Sequence, residues 1–184
     1  ARRLDRYRLP SDRRKPPRRA MKILLVDDHA IVRAGLRQLL SLGTPVTVAE
    51  AASGREALAT VARERPDVLV LDLNLPDVGG VELIRRLLLQ DASLRILVLS
   101  MHAEPLYASR ALQAGARGYI SKSAEPQELL SALRRVAEGG RYIEAEIAQA
   151  LALQNTTSED PLQGLSERNL EILRLLAGGR SLAE

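Results

Sequence analysis

Three aspartates carry the first chemical suggestion in this chain. Asp27 and Asp28 close the apolar run Lys22-Ile-Leu-Leu-Val26, and Asp72 interrupts the run that begins at Val68. Like charges a few ångströms apart repel by about 4 kcal/mol at an effective dielectric near 20. Acids placed where apolar runs stop therefore imply a divalent cation, or a shared proton, between them. The expected chemistry is that of an acidic, cation-binding pocket. Ser100 and Lys122 end two further apolar runs in the same way.

The elements that must bring these residues together are legible in the spacing of apolar residues. From residue 22 to about 140, short β-rich runs alternate with longer segments of helical period, the signature of βα units and a parallel sheet. Strands are predicted at 22–27, 46–51, 67–72, 95–100 and 117–121. Val32, Leu36, Leu39 and Leu40 form one helical stripe, and Leu129, Leu130, Leu133, Val136 and Ala137 form another. Ser53 and Glu56 make a capping box. Pro105 and Pro126 sit where a first-turn proline is tolerated, and Gly139-Gly140 stops the last helix of the series. In such folds right-handed crossovers put helices on both faces, and ligands bind at the carboxyl ends of the strands, near a switch in strand order. Asp27, Asp28, Asp72, Ser100 and Lys122 all fall at such ends.

Bulk composition narrows the class. With 184 residues, 46% apolar, four Tyr and neither Phe nor Trp, the core must be aliphatic. The absence of Cys excludes a disulfide framework, a thiolate metal site and a Cys nucleophile, and makes a reducing cytoplasm the expected location. The net charge of +4 is misleading until it is divided. Residues 1–20 hold nine Arg or Lys against Asp5 and Asp12, so the remainder is net acidic. This Arg- and Pro-rich leader cannot bury a core and is expected to be disordered. It reads either as a nucleic-acid-binding arm or as upstream-translated sequence, with Met21 standing like a start residue. No apolar stretch approaches a membrane span, and the leader has no apolar segment of signal-peptide type.

Five motifs in order carry a family resemblance: Val26-Asp-Asp-His29, Asp72-Leu-Asn-Leu-Pro76 with Gly79-Gly80, Ser100, and Gly118-Tyr-Ile-Ser-Lys122. Together they resemble a response-regulator receiver domain. His29, Arg33 and Gly35, with Leu165-Ser-Glu-Arg168, are similar to the NarL/FixJ subfamily, which carries a LuxR-type helix-turn-helix. The resemblance implies an α/β, flavodoxin-like (CheY-like) fold, doubly wound around a five-stranded parallel sheet of order 2-1-3-4-5. The resemblance covers residues 21–184 and leaves out the leader (1–20); with the short amphipathic helix and polar linker read at 144–161, the expected division is receiver domain (21–140), linker with a short helix at 144–153 (141–164) and a helix-turn-helix fragment (165–184).

The same resemblance implies the roles. Asp72 would accept a phosphoryl group from a phosphohistidine on a sensor histidine kinase, since an ionised carboxylate is nucleophilic and its mixed anhydride hydrolyses readily. Asp27, Asp28, Asp72 and the backbone carbonyl of Asn74 would hold Mg²⁺, a hard cation that prefers oxygen. Ser100 and Lys122 would each contact a phosphoryl oxygen, and Tyr119 would be the switch aromatic. The phosphoryl group would shift populations toward a homodimer or a released effector, and DNA would be a partner of the full-length parent. His29 is expected to be a packing or surface residue, because magnesium disfavours imidazole, and His102 a solvated loop residue.

Two competing functions stay open. A haloacid-dehalogenase-type phosphatase also uses a strand-end Asp with Mg²⁺, but it needs a second acid two residues on, where this chain has Asn74; a non-enzymatic signalling domain is the expectation. The other competitor is a receiver-shaped interaction module that takes no phosphoryl group. In the last segment, Leu165 to Ala177 reads as one helix with Ser166 at its cap, and Asn169 stands where the family usually has Glu. The sequence stops as the second helix of such a module begins, so the recognition helix is missing from these residues and sequence-specific DNA binding by them is not expected.

Overall fold

The computed structural model describes residues 20–42, 45–101 and 104–154. Strands and helices alternate: β1 (Met21–Val26), α1 (Ala30–Ser41), β2 (Val46–Ala51), α2 (Gly54–Glu64), β3 (Val68–Leu71), α3 (Gly80–Gln90), β4 (Arg95–Ser100), α4 (Pro105–Gln113), β5 (Gly118–Ser121), α5 (Pro126–Ala137), β6 (Tyr142–Ile143) and α6 (Ala145–Gln154). The sheet order is β2-β1-β3-β4-β5-β6, and every pairing is parallel.

Successive side chains of a strand point to opposite faces, and here both faces are covered. Leu24, Val26, Leu69, Leu71, Ile96 and Val98 pack with Ala57 and Val61 of α2, Leu83, Ile84 and Leu87 of α3, and Ala108 and Ala111 of α4. Ile23, Leu25, Val68, Val70, Leu97 and Leu99 pack on the other side with Leu40 of α1 and Leu129, Leu133 and Val136 of α5. Burial on both faces is why these strands read as unbroken aliphatic runs rather than as alternating ones.

Register then sets the site. Val26 pairs with Leu71 across β1 and β3, and Asp72 N–H donates to the Val26 carbonyl at 2.8 Å. Asp27 and Asp72 thus emerge side by side, each one residue beyond its strand, at the point where the strand order reverses. Ser100 pairs with Ser121, so Lys122 leaves the sheet beside Ser100, its N–H donating to the Ser100 carbonyl.

The sheet departs from the expected five strands by gaining a sixth. After Gly139, whose φ of +91° favours glycine, Tyr142 and Ile143 pair with Gly118 and Tyr119 of β5. A two-residue strand is shorter than any window in which alternation can register. Gly118 makes room for it: a Cβ there would stand 3.0 Å from the Tyr142 carbonyl oxygen and 2.8 Å from Leu97 Cδ1. The helix predicted at 144–153 is present as α6, and it packs against α4. No helix among the described residues is long and apolar enough to cross a membrane. The readings made for residues 1–19, His102 and residues 155–184 lie outside the described residues.

Candidate functional site

The carboxylates of Asp27 and Asp72 are both nearly sealed from solvent, each residue 2% exposed. One oxygen of each is fixed by the backbone two residues on: Asp27 Oδ1 accepts from His29 N–H at 2.8 Å, and Asp72 Oδ1 from Asn74 N–H at 3.2 Å. This local turn is a habit of Asp beyond a strand end. The second oxygens converge on one cation. Lys122 Nζ donates to Asp27 Oδ2 at 2.7 Å and to Asp72 Oδ2 at 2.6 Å. Burial works against the ammonium charge, but the two hydrogen bonds and the charges of Asp72 and Asp27 outweigh it, holding Lys122 above its ordinary value.

Asp28 lies on the exposed side of the pair. Ligand-capable atoms of Asp27, Asp28, His29 and Asp72 all fall within 4.8 Å of one another, a spacing that three hard oxygen donors share with the sites of small divalent cations. His29 stands beside these acids. Its ring is largely exposed, as predicted, yet Nδ1 stands 3.1 Å from Asp27 Oδ1 and 2.8 Å from Asp28 Oδ1. At Asn74 it is the N–H that bonds to Asp72.

Ser100 is completely buried at the end of β4. It shares a hydrogen bond with Tyr119, itself fully buried on β5. Burial pushes the Tyr119 hydroxyl up to about 12; the bond to Ser100 opposes this, while Glu104, Tyr107 and Glu144 add to it. The structure therefore brings together Asp27, Asp28, Asp72 and Lys122, and places the Ser100–Tyr119 pair on the neighbouring strand ends.

Supporting residues escaped the sequence reading of the site. Arg33 Nη1 donates to the Asp27 carbonyl at 2.5 Å while its Nε donates to Glu50 Oε2 at 3.1 Å, tying α1 to β2 across the mouth of the crevice. Asp77 accepts from Gly54 N–H (2.9 Å) and Arg55 N–H (3.1 Å), pinning the loop after Asp72 to the start of α2. The Gly54 bond foremost holds its carboxyl below the ordinary range. An N-capping acid 23 residues from its helix leaves no local signature. At the opposite end of the sheet, a cavity of about 600 Å³ is lined by Arg65, Asp67, Asp91 and Arg95 among others. Three of these charges are already engaged: Asp67 accepts from Lys22 N–H, Asp91 from Ser93, and Arg95 donates to the Ala137 carbonyl.

Acids at the switch point of a doubly wound sheet, bridged by a strand-end lysine, define a class of phosphoryl-handling α/β domains. Residues 23–134 match the response regulator receiver domain. Response regulator UvrY of Escherichia coli K12 is 40% identical over 169 residues, covering 89% of this chain and 77% of that protein. A LuxR-family two-component response regulator from Aurantimonas sp. SI85-9A1 superposes with a TM-score of 0.70 at 38% identity, over 75% of this chain and 99% of that one. RcsB of Salmonella typhimurium, solved in a study of its DNA interaction, superposes with a TM-score of 0.69 at 28% identity, over 90% of this chain and 81% of that one. The chain belongs to the response-regulator family, and it carries that family's receiver domain.

Proposed function

We propose that Asp72 is the phosphoacceptor of this response regulator, charged by the phosphohistidine of a sensor histidine kinase in the cytoplasm. The observation that carries this reading is the bridging of Asp27 and Asp72 by Lys122 at 2.7 and 2.6 Å, beside the Ser100 hydroxyl. An Asp72 carboxylate oxygen would attack phosphorus in line as the P–N bond to the kinase imidazole breaks, the nitrogen keeping the electron pair and then taking a proton. Asp72 can receive the group only if Lys122 swings away from Oδ2, a movement its four-carbon stem permits. The ammonium then faces one phosphoryl oxygen and the Ser100 hydroxyl another.

The carboxylates of Asp27, Asp28 and Asp72, with the Asn74 carbonyl, would hold Mg²⁺, an assignment their hard oxygen donors and mutual spacing fit. When bound, the ion neutralises charge on the phosphoryl oxygens during transfer. The domain acts on itself alone, with slow hydrolysis of the acyl phosphate ending the signal. A second copy and DNA would be the downstream partners.

A receiver-shaped module that takes no phosphoryl group has one observation in its favour, the near-complete burial of Asp72 beneath Lys122. Labelled acetyl phosphate with Mg²⁺ separates the two. Label on the wild type and none on Asp72→Asn supports phosphoacceptance; an unlabelled wild type refutes it.

A further inference from the structure

His29 holds a position for which neither packing nor helix capping accounts. It is the N-cap of α1, where Ser, Thr, Asp or Asn would offer a side-chain oxygen to the helix amides, yet its ring makes no capping bond. Nor does the ring pack, for 63% of the side chain is exposed. Nδ1 instead stands 2.8 Å from Asp28 Oδ1 and 3.1 Å from Asp27 Oδ1, and that Asp27 oxygen is itself oriented by the His29 N–H at 2.8 Å. Asp72 adds a carboxylate oxygen within 4.8 Å of the others.

Bonds of about 2.1 Å to nitrogen and oxygen place neighbouring ligands of a six-coordinate ion about 3 Å apart, and the two separations at Nδ1 match that edge. Carboxylate oxygens only accept, so Nδ1 now points a hydrogen at them; an ion entering there sends that proton to solvent. Mg²⁺ takes oxygen and keeps its waters, so it gains little from the ring. Imidazole suits zinc, copper and nickel. Resting on the Mg²⁺ site of the proposed function, we infer that His29 gives the same acids a second use: with Nδ1 as an added ligand they bind a late first-row divalent cation, Zn²⁺ being the type, in competition with Mg²⁺. Asp27, Asp28 and Asp72 serve both ions, and His29 serves the transition metal alone.

Calorimetric titration of the full 184-residue chain with Zn²⁺ and with Mg²⁺ tests this, and the visible absorption of bound Co²⁺ reports the donor set. Wild type is expected to bind Zn²⁺ more tightly than Mg²⁺, with excess Mg²⁺ displacing it. His29→Asn should weaken Zn²⁺ roughly tenfold to a hundredfold while leaving Mg²⁺ affinity within about twofold, and should change the Co²⁺ spectrum as the nitrogen donor is lost. Asp28→Asn should weaken both ions. Zn²⁺ affinity and a Co²⁺ spectrum that are unchanged in His29→Asn overturn the inference while leaving the Mg²⁺ site standing, as does a wild type that binds Mg²⁺ but not Zn²⁺. Zn²⁺ that excess Mg²⁺ fails to displace sits elsewhere and overturns it equally. A wild type that binds neither ion defeats the Mg²⁺ site as well.

Discussion

Lys122 holds apart two carboxylates that would otherwise face each other in a nearly dry pocket. Removing one partner of a buried ionic cluster strands the rest and costs about 3 kcal/mol or more, so Lys122→Ala should lower stability by that order in urea titrations. Because the proposed Mg²⁺ would take the place of the ammonium, millimolar Mg²⁺ should stabilise this variant more than it does the wild type. Alkaline behaviour follows from Tyr119. Its folded value of about 12 lies above the ordinary 10.0, so the stability it contributes is complete below pH 10 and is lost as pH rises toward 12. Lys122, also raised, loses its contribution in the same direction, above its ordinary 10.5. Tyr119→Phe should therefore flatten the fall in unfolding free energy between pH 10 and 12 by about 2–3 kcal/mol. A residual slope should persist from Tyr142, also pushed up to about 12 by burial and by its bond to Glu128.

At the scale of elements, the loop between β3 and α3 is held not only by Asp77 but by a tight approach at Gly80. A Cβ on Gly80 would lie 2.6 Å from Leu73 Cα and 2.8 Å from the Leu73 carbonyl oxygen, and backbone cannot give way as a side chain tip can. Gly80→Ala should cost about 1–3 kcal/mol and, by shifting the loop that carries Asn74, slow labelling of Asp72 roughly tenfold to a hundredfold. That two-part outcome, read by melts and by label kinetics, separates a placed loop from a merely packed one. Local signals in the sequence foretold much of this level. The Ser53 cap forms, with Glu56 N–H donating to its Oγ, although the Glu56 carboxylate reaches Ala52 N–H rather than completing the box at Ser53. Pro105 and Pro126 open their helices, and Asp27, Asp72 and Lys122 stood out as polar endings to apolar runs. Illegible were the features whose cause lies far along the chain: Asp77 capping α2, Glu144 reaching Ser121, and a β6 too short to show a period.

For the molecule as a whole, the Mg²⁺ site proposed at the acid cluster would make stability depend on cations. A ligand that binds only the folded state at a hundred times its dissociation constant adds about 2.7 kcal/mol, so Mg²⁺ should raise the melting temperature of the wild type. Asp28 faces solvent and supports no packing, so Asp28→Asn should erase that gain while leaving the metal-free melt nearly unchanged. Calorimetry with and without EDTA decides it. The borders of the sheet carry a different consequence. On one side β6 offers only two residues of ladder; on the other, Glu50 of β2 is ion-paired with Arg33 and Arg37. Neither rim presents the long, flat, uncharged strand that templates aggregation. Self-association by adding strand to strand is thereby discouraged, which leaves helical surfaces as the route by which copies of this chain would meet.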